Sequence, residues 1–316
     1  MEKLRSLKIS IIGSGRLGST LAFAIKSVSS PGVSIVSVSG RTENTLAAAR
    51  KLLGESSKTI LFTHDNFLAA KISNCIFICT PDNEIEGVCN EIFKSWKDFT
   101  GIDGSNMENP KEITVFHFSG SKKIDILDAA SEAGASTACM HPLKSFASAR
   151  DAYSTLENTL YGVTYKKNDI KAKNIIEILC KILKGRTIFV KNDKKTLYHA
   201  CACIASNYLV SLMDFAADAG SEVGLDPQVF LSGLINLSEG TLLNMKKLGT
   251  KKALTGPIAR GDTSTINEHV ELINSLNRDD IKEFYEMMGK KTAKIAFENT
   301  WINSKSYNEL VKILKK

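Results

Sequence analysis

The sequence contains no arginine-rich tract and no basic run interleaved with aromatic residues, although its formal net charge is +7. Its lysines are spread along the chain. That pattern argues against nucleic-acid binding and fits a lysine-rich surface with some attraction for anionic ligands such as phosphates. No His/Cys cluster has the spacing of a zinc site, so no metal is expected. Cys201 and Cys203 form a C-x-C, but on a helix such side chains point to different faces. The seven cysteines are odd in number and unpatterned, which points to reduced thiols and a cytoplasmic setting. No apolar run approaches the roughly 20 residues that a membrane-spanning helix needs. Residues 1–7 are short and polar and run straight into a strand, leaving no room for a signal peptide. Internal repeats and low-complexity tracts are absent as well.

What is present is a globular composition, 43% hydrophobic and 24% charged over 316 residues, enough for two domains. Residues 7–13 read as a buried parallel strand ended by Gly13. A helix over 17–28 follows, with Leu17, Leu21, Ala24, Ile25 and Val28 on one face. Further strands are expected at 33–39, 59–62, 75–79 and 113–118, and short outer ones at 137–140 and 186–190. Thr42 or Asn44 suits the cap of a helix reaching about Leu53. Residues 101–112, polar and containing Gly and Pro, read as a surface insertion. This alternation predicts a Rossmann-type α/β domain with a mostly parallel sheet over residues 1–190. From Lys194 onward the pattern is helical: one long helix over 194–223, another starting at Leu225-Asp226-Pro227, then 263–277, 279–298 and 305–316. Residues 191–316 are therefore expected to be all-α.

Gly13-Ser14-Gly15-Arg16-Leu17-Gly18 is a G-x-G-x-x-G between a strand and a helix, the context that a dinucleotide-binding loop requires. Gly13 allows the tight turn, Gly15 a close backbone approach to a diphosphate, and Gly18 close helix–sheet packing. The second strand ends Ser39-Gly40-Arg41-Thr42 without the carboxylate usual in NAD sites. Arg41 can instead pair with a 2′-phosphate, helped by the hydroxyls of Ser39 and Thr42, so NADP (NADPH) is the expected cofactor. Thr80-Pro81, after the strand at 75–79, and Ser119, after that at 113–118, fall at the carboxyl edge of the sheet, where ligands bind.

The order of these motifs, with His141-Pro142-Leu143, Tyr198-His199, Asn207, Leu254-Thr255-Gly256-Pro257 and Arg260-Gly261-Asp262, resembles the Rossmann-like proteins that carry a DUF2520 helical domain. It is more distantly similar to ketopantoate reductases, pyrroline-carboxylate reductases and β-hydroxyacid dehydrogenases. The resemblance covers nearly the whole chain. It implies an NADP-dependent oxidoreductase with a helical domain that carries the dimer. The catalytic lysine that β-hydroxyacid dehydrogenases place one turn before an Asn is replaced here, since Cys203 precedes Asn207.

Lys195, His199, Cys203 and Asn207 recur every four residues and should form one helical stripe. Reduction of C=O or C=N needs a proton donor near the hydride, and an imidazole titrating near neutrality suits that role, which makes His199 and His141 the candidates, with Lys195 and Asn207 beside them. His117, inside a buried strand, reads as structural. Thr255, Gly256, Pro257 and Arg260 suit an anion-binding loop for a small carboxylate substrate. Asp262 or Thr263 there also fits a helix cap. The expected activity is reduction of a small 2-oxo or imino acid by hydride transfer. A non-catalytic NADP-binding regulator and a deazaflavin-linked NADP oxidoreductase are the alternatives. Apolar positions such as Leu209, Leu212, Phe215 and Ala216 suggest a homodimer through the helical domain.

Overall fold

The strands of the computed structural model, which describes residues 6–28, 30–99, 109–146 and 156–315, are β1 (Leu7–Ile12), β2 (Val33–Ser39), β3 (Leu61–Thr63), β4 (Cys75–Ile78), β5 (Thr114–His117), β6 (Ser136–Pro142), β7 (Leu160–Tyr165) and β8 (Arg186–Phe189). Helices α1 (Arg16–Ser27), α2 (Glu43–Leu53), α3 (Asn66–Ala70), α4 (Ile85–Phe99), α5 (Asp128–Glu132) and α6 (Ile170–Ile182) lie between them in the chain. The sheet order is β3-β2-β1-β4-β5-β6-β7-β8. The first six strands are parallel, a doubly wound arrangement whose crevice opens at the carboxyl ends of β1 and β4, where the strand order reverses. Residues 101–108 of the expected polar insertion lie outside the described residues.

Alternation along the strands divides the interior in two. Ile9, Ile11, Phe77 and Phe116 pack with Leu21 and Ile25 of α1 and with Ile175 and Leu179 of α6. Ile12, Ile76, Ile78 and Val115 pack with Cys89, Ile92 and Trp96 of α4. Burial on both faces is why these strands read as nearly continuous apolar runs.

Three expectations are corrected. First, β7 was not anticipated. It runs antiparallel to β6, so β6 is an interior strand, and of the two expected outer strands only β8 lies at an edge. A strand that returns beside its neighbour is placed by that pairing, and strand–helix alternation does not announce it. Second, the helical pattern of 194–223 is two helices, α7 (Lys195–Ala205) and α8 (Asn207–Ser221). They part at Ser206 (φ −119, ψ −69), whose N–H is shared between the carbonyls of Ala202 and Cys203. Third, the stretch Asn192–Ser221 is long enough, and contains an 18-residue window apolar enough (mean hydropathy 1.4), to cross a membrane by length and composition. The break at Ser206 leaves helices of 11 and 15 residues, each short of the ~20 that spanning requires.

The compact units are Met1–Ser206 and Asn207–Lys316, a division later than the expected 190–191. Lys195 explains the difference, because it is buried and hydrogen-bonded to the strand ends of the first unit.

The second unit continues from α8 through α9 (Pro227–Ala253), α10 (Pro257–Arg260), α11 (Thr263–Ser275), α12 (Asp279–Glu298) and α13 (Ser304–Ile313). Asp226 caps α9 with Pro227 at its first position, as Leu225-Asp226-Pro227 foretold. Ile258, Ile266, Val270, Ala293, Ala296, Leu310 and Leu314 form its core. Leu209, Leu212, Phe215 and Ala216 are half-buried, with the Phe215 ring 5.0 Å from that of Phe284. The strongly exposed apolar side chains are others, among them Val210, Val229 (72% exposed) and Leu237 (69%).

Candidate functional site

The glycine loop is built into the β1–β4 crevice. Gly13 has φ +104, and a Cβ there would lie 2.9 Å from the carbonyl carbon of Cys79. A Cβ on Gly18 would fall on the carbonyl oxygen of Gly13 and lie 2.9 Å from Ile11 Cγ2. Around the position of a Gly15 Cβ there is open space. α1 begins after Gly15 with no side-chain cap, which leaves its first-turn amides to an anion. These features fit a diphosphate.

The neighbouring residues divide into framework and exposed groups. Ser14 Oγ donates to Thr45 Oγ1 at 3.0 Å, Arg16 donates to the carbonyl of Phe146 at 3.2 Å, and Leu17 packs against the core. A Cβ on Gly40 would fall on Ser14 Oγ. Thr42 caps α2, accepting from the Thr45 amide at 3.4 Å. Ser39 donates to Asn66 Oδ1 at 2.8 Å. Arg41 is exposed. At the end of β4, Thr80 Oγ1 is buried with no partner among the described residues, and Pro81 is exposed.

Beyond β4 a polar cluster forms at the ends of β5 and β6. His117 and Cys139 are register partners on adjacent strands, and Cys139 and His141, two residues apart, share one face of β6. Lys195 descends onto them from the start of α7. It is 1% exposed, and its Nζ donates to the carbonyl of Ser119 at 3.1 Å and to Cys139 Sγ at 2.9 Å. The Cys139 thiol in turn donates to the same carbonyl at 3.2 Å. Ser119 is fixed on every side. Its hydroxyl donates to Asp82 Oδ2 at 2.6 Å and accepts from the Lys122 amide at 3.1 Å, and its amide donates to His117 Nδ1 at 3.2 Å. Its side chain is thus already engaged.

His141 and His199 meet beside Gly120, with ring centroids 5.9 Å apart. A Cβ on Gly120 would lie 2.6 Å from His199 Nδ1 and 2.9 Å from His141 Nε2, so only glycine lets both imidazoles reach the strand end. His141 Nδ1 pairs with the Tyr198 hydroxyl at 3.0 Å. Tyr198 stands over Gly162 of β7, the register partner of His141. His199 Nε2 lies 3.6 Å from Cys203 Sγ, and its Nδ1 is buried without a partner among the described residues.

Burial, with the Lys195 ammonium and His199 nearby, pulls His141 down to about 4. Burial, then Lys195 and His141, pull His117 down to about 3. Both imidazoles are neutral near pH 7. The expectation that His141 titrates near neutrality is therefore corrected, because its buried place beside a cation disfavours the charged form. Burial pushes Tyr198 up to about 12, so it stays a protonated donor. The Tyr198 hydroxyl, bonded to Nδ1, fixes the ring of His141 with its Nε2 edge beside Gly120.

The expected stripe is cut short. Lys195, His199 and Cys203 lie on α7, but Asn207 is exposed and opens α8 in the second unit, past the break at Ser206. In that unit Gly256 (φ +96) precedes α10, whose first residue is Pro257, and Thr255 and Arg260 are exposed. Asp262 caps α11, accepting from the Thr265 amide and from the Ser264 and Thr265 hydroxyls. Reasoning from sequence passed over Cys139, and placed Asp82 and Gly120 at the crevice only as parts of strand ends, with no role of their own. Cys139 had a usable signal in its spacing of two from His141 on a strand, whereas Asp82 and Gly120 acquire meaning only from neighbours distant in sequence.

Residues 8–107 match the family model described as NADP oxidoreductase coenzyme F420-dependent, and residues 162–292 match the Domain of unknown function (DUF2520). Among solved structures the chain is similar to a protein from Thermotoga maritima (TM-score 0.68, 21% identity, 93% of this chain and 99% of that one). A candidate NADP oxidoreductase from Bacteroides fragilis aligns with TM-score 0.64 and 17% identity over 92% and 98% of the two chains. Pyrroline carboxylate reductase from Plasmodium falciparum, solved with NADP bound, aligns with TM-score 0.55 and 14% identity over 97% and 99%. At such identities these likenesses establish the fold. No curated protein matches the chain.

Proposed function

We propose that this chain, whose residues 8–107 match a model of NADP oxidoreductases and 162–292 the DUF2520 model, is an NADP(H)-dependent reductase of a small 2-oxo or cyclic imino acid. The observation that carries this reading is the convergence of Lys195, His141 and His199 around Ser119 and Gly120, on the sheet edge that also holds the glycine loop. The bound cofactor would supply the hydride. The first-turn amides of α1 hold its diphosphate, and Arg41 meets the 2′-phosphate. The Lys195 ammonium and His199 hold the proton for the substrate oxygen or nitrogen. The neutral imidazole of His141, fixed by Tyr198, orients that atom. In the second unit, the Thr255–Pro257 turn and Arg260 have the residue types of an anion-binding loop suited to a small carboxylate.

NADPH oxidation measured against a panel of oxo acids and cyclic imines tests the activity; binding without turnover across the panel would leave a cofactor sensor instead. A deazaflavin co-substrate is the competing reading, favoured by the coenzyme F420 description of the matching model, and the same assay with that coenzyme separates the two. For the cofactor, Arg41→Asp should weaken NADPH binding about tenfold or more while sparing NADH. An unchanged NADPH titration would remove the 2′-phosphate assignment.

The exposed apolar side chains of α8 and α9, such as Val210, Val229 and Leu237, support a homodimer through the helical unit. Light scattering should give a dimer mass at micromolar concentration, and a monomer mass throughout would count against it.

A further inference from the structure

We infer that Cys139 and Lys195 form an oxidation-sensitive pair, in which an oxidant joins Sγ to Nζ through one oxygen atom and reversibly locks the amine. The two atoms stand 2.9 Å apart, the separation of an ordinary N–H···O bond, although sulfur is the larger atom. They are held there by a shared acceptor, the Ser119 carbonyl, at 3.1 and 3.2 Å. That carbonyl is kept in place through the bond of Ser119 to Asp82 at 2.6 Å. Cys139 is a free thiol, so the group already touching it is an amine. A direct S–N bond would require the atoms to approach well inside their present separation, whereas one inserted oxygen spans it with little movement.

The chemistry balances with a peroxide as oxidant. One thiol, one amine and two molecules of hydrogen peroxide give one S–O–NH link and three waters. A first equivalent carries the thiol to the sulfenic acid. The second supplies the two further oxidising equivalents needed to make the N–O bond, and the ammonium releases its extra proton to solvent. Four equivalents of a monothiol reverse it, returning thiol, amine and one water with two disulfides formed. Burial pushes the Cys139 thiol up, with the Lys195 ammonium opposing, so the reaction should be slow near neutrality and quicken as pH rises.

The test is peptide mapping of the full-length protein after treatment with hydrogen peroxide, under non-reducing conditions. The expected product joins the peptides carrying Cys139 and Lys195, has gained one oxygen and lost two hydrogens, and disappears with dithiothreitol. Loss of two hydrogens without oxygen would replace the bridge by a direct S–N bond and overturn the inference. So would Cys139 oxidised to a sulfinic acid with Lys195 unmodified. Cys139→Ser and Lys195→Met should abolish the product; should either fail to fold, the wild-type map decides alone. The consequence for turnover rests on the proposed reductase reading. Activity should fall in step with the link and return on reduction. A link that forms while turnover persists would refute the lock, and would place the failure in the role assigned to Lys195 and not in the bond.

Discussion

Lys195→Met should lower kcat by ~10²–10⁴-fold, the range expected when a positioned proton donor is removed, with the affinity for NADPH little changed. Methionine fills a similar volume but carries no proton, and the site has no second ammonium among the described residues bonded to Ser119 and Cys139. A loss below about tenfold would shift the donor role to His199. The same variant has a signature independent of turnover. The ammonium is one of the influences that hold His141 near 4, after burial itself. Without it the His141 titration should move upward, though not to the free-imidazole value, because burial remains. NMR of the imidazole C–H resonances across the acid range reads this directly, and an unmoved titration would mean that Lys195 is not where its bonds put it.

Gly18→Ala should cost ~3 kcal/mol or more, at or above the upper end of ordinary overpacking, and abolish dinucleotide binding. The added carbon meets backbone, not a yielding side chain. The carbonyl of Gly13 lies in its path, and Gly13 is pinned by its own amide, which donates to Ser39 at 3.0 Å, and by the end of β4 against it. Gly15→Ala is the contrasting variant. Its Cβ would enter open space, so stability should hold while cofactor affinity drops, because the methyl stands where the diphosphate must approach. Thermal melts and NADPH titrations of both proteins check the pair, and a Gly18→Ala protein that melts with the wild type would sink the packing argument.

The doubly wound half of the fold was legible because its cues are local. A strand buried on both faces writes itself as Ile-Ser-Ile-Ile followed by glycine, and caps such as Asp226 and Asp262 sit one residue before their helices. What escaped was pairing and phase. β7 carries Gly162 in its middle and owes its place to β6. The interruption at Ser206 has no proline or glycine to mark it, so the periodicity of Lys195, His199, Cys203 and Asn207 ran on in the sequence past the point where the helix stops. The candidate site was half legible for the same reason. Its imidazoles and its lysine stand out as residue types, but the thiol, the carboxylate of Asp82 and the bare Cα of Gly120 become part of it only when β4, β5, β6 and α7 are brought together.

That interruption at Ser206 also uncouples two histories of change. Along an unbroken helix, inserting or deleting one residue turns everything beyond it by about 100°, so any drift in the greasy residues after position 207 would be constrained by the need to keep an amine aimed at a sheet. With the rod cut, angular phase is not passed across. The stretch from Asn207 onward can lengthen, shorten or trade its apolar surface for another while the proton-bearing side chains before it keep their aim.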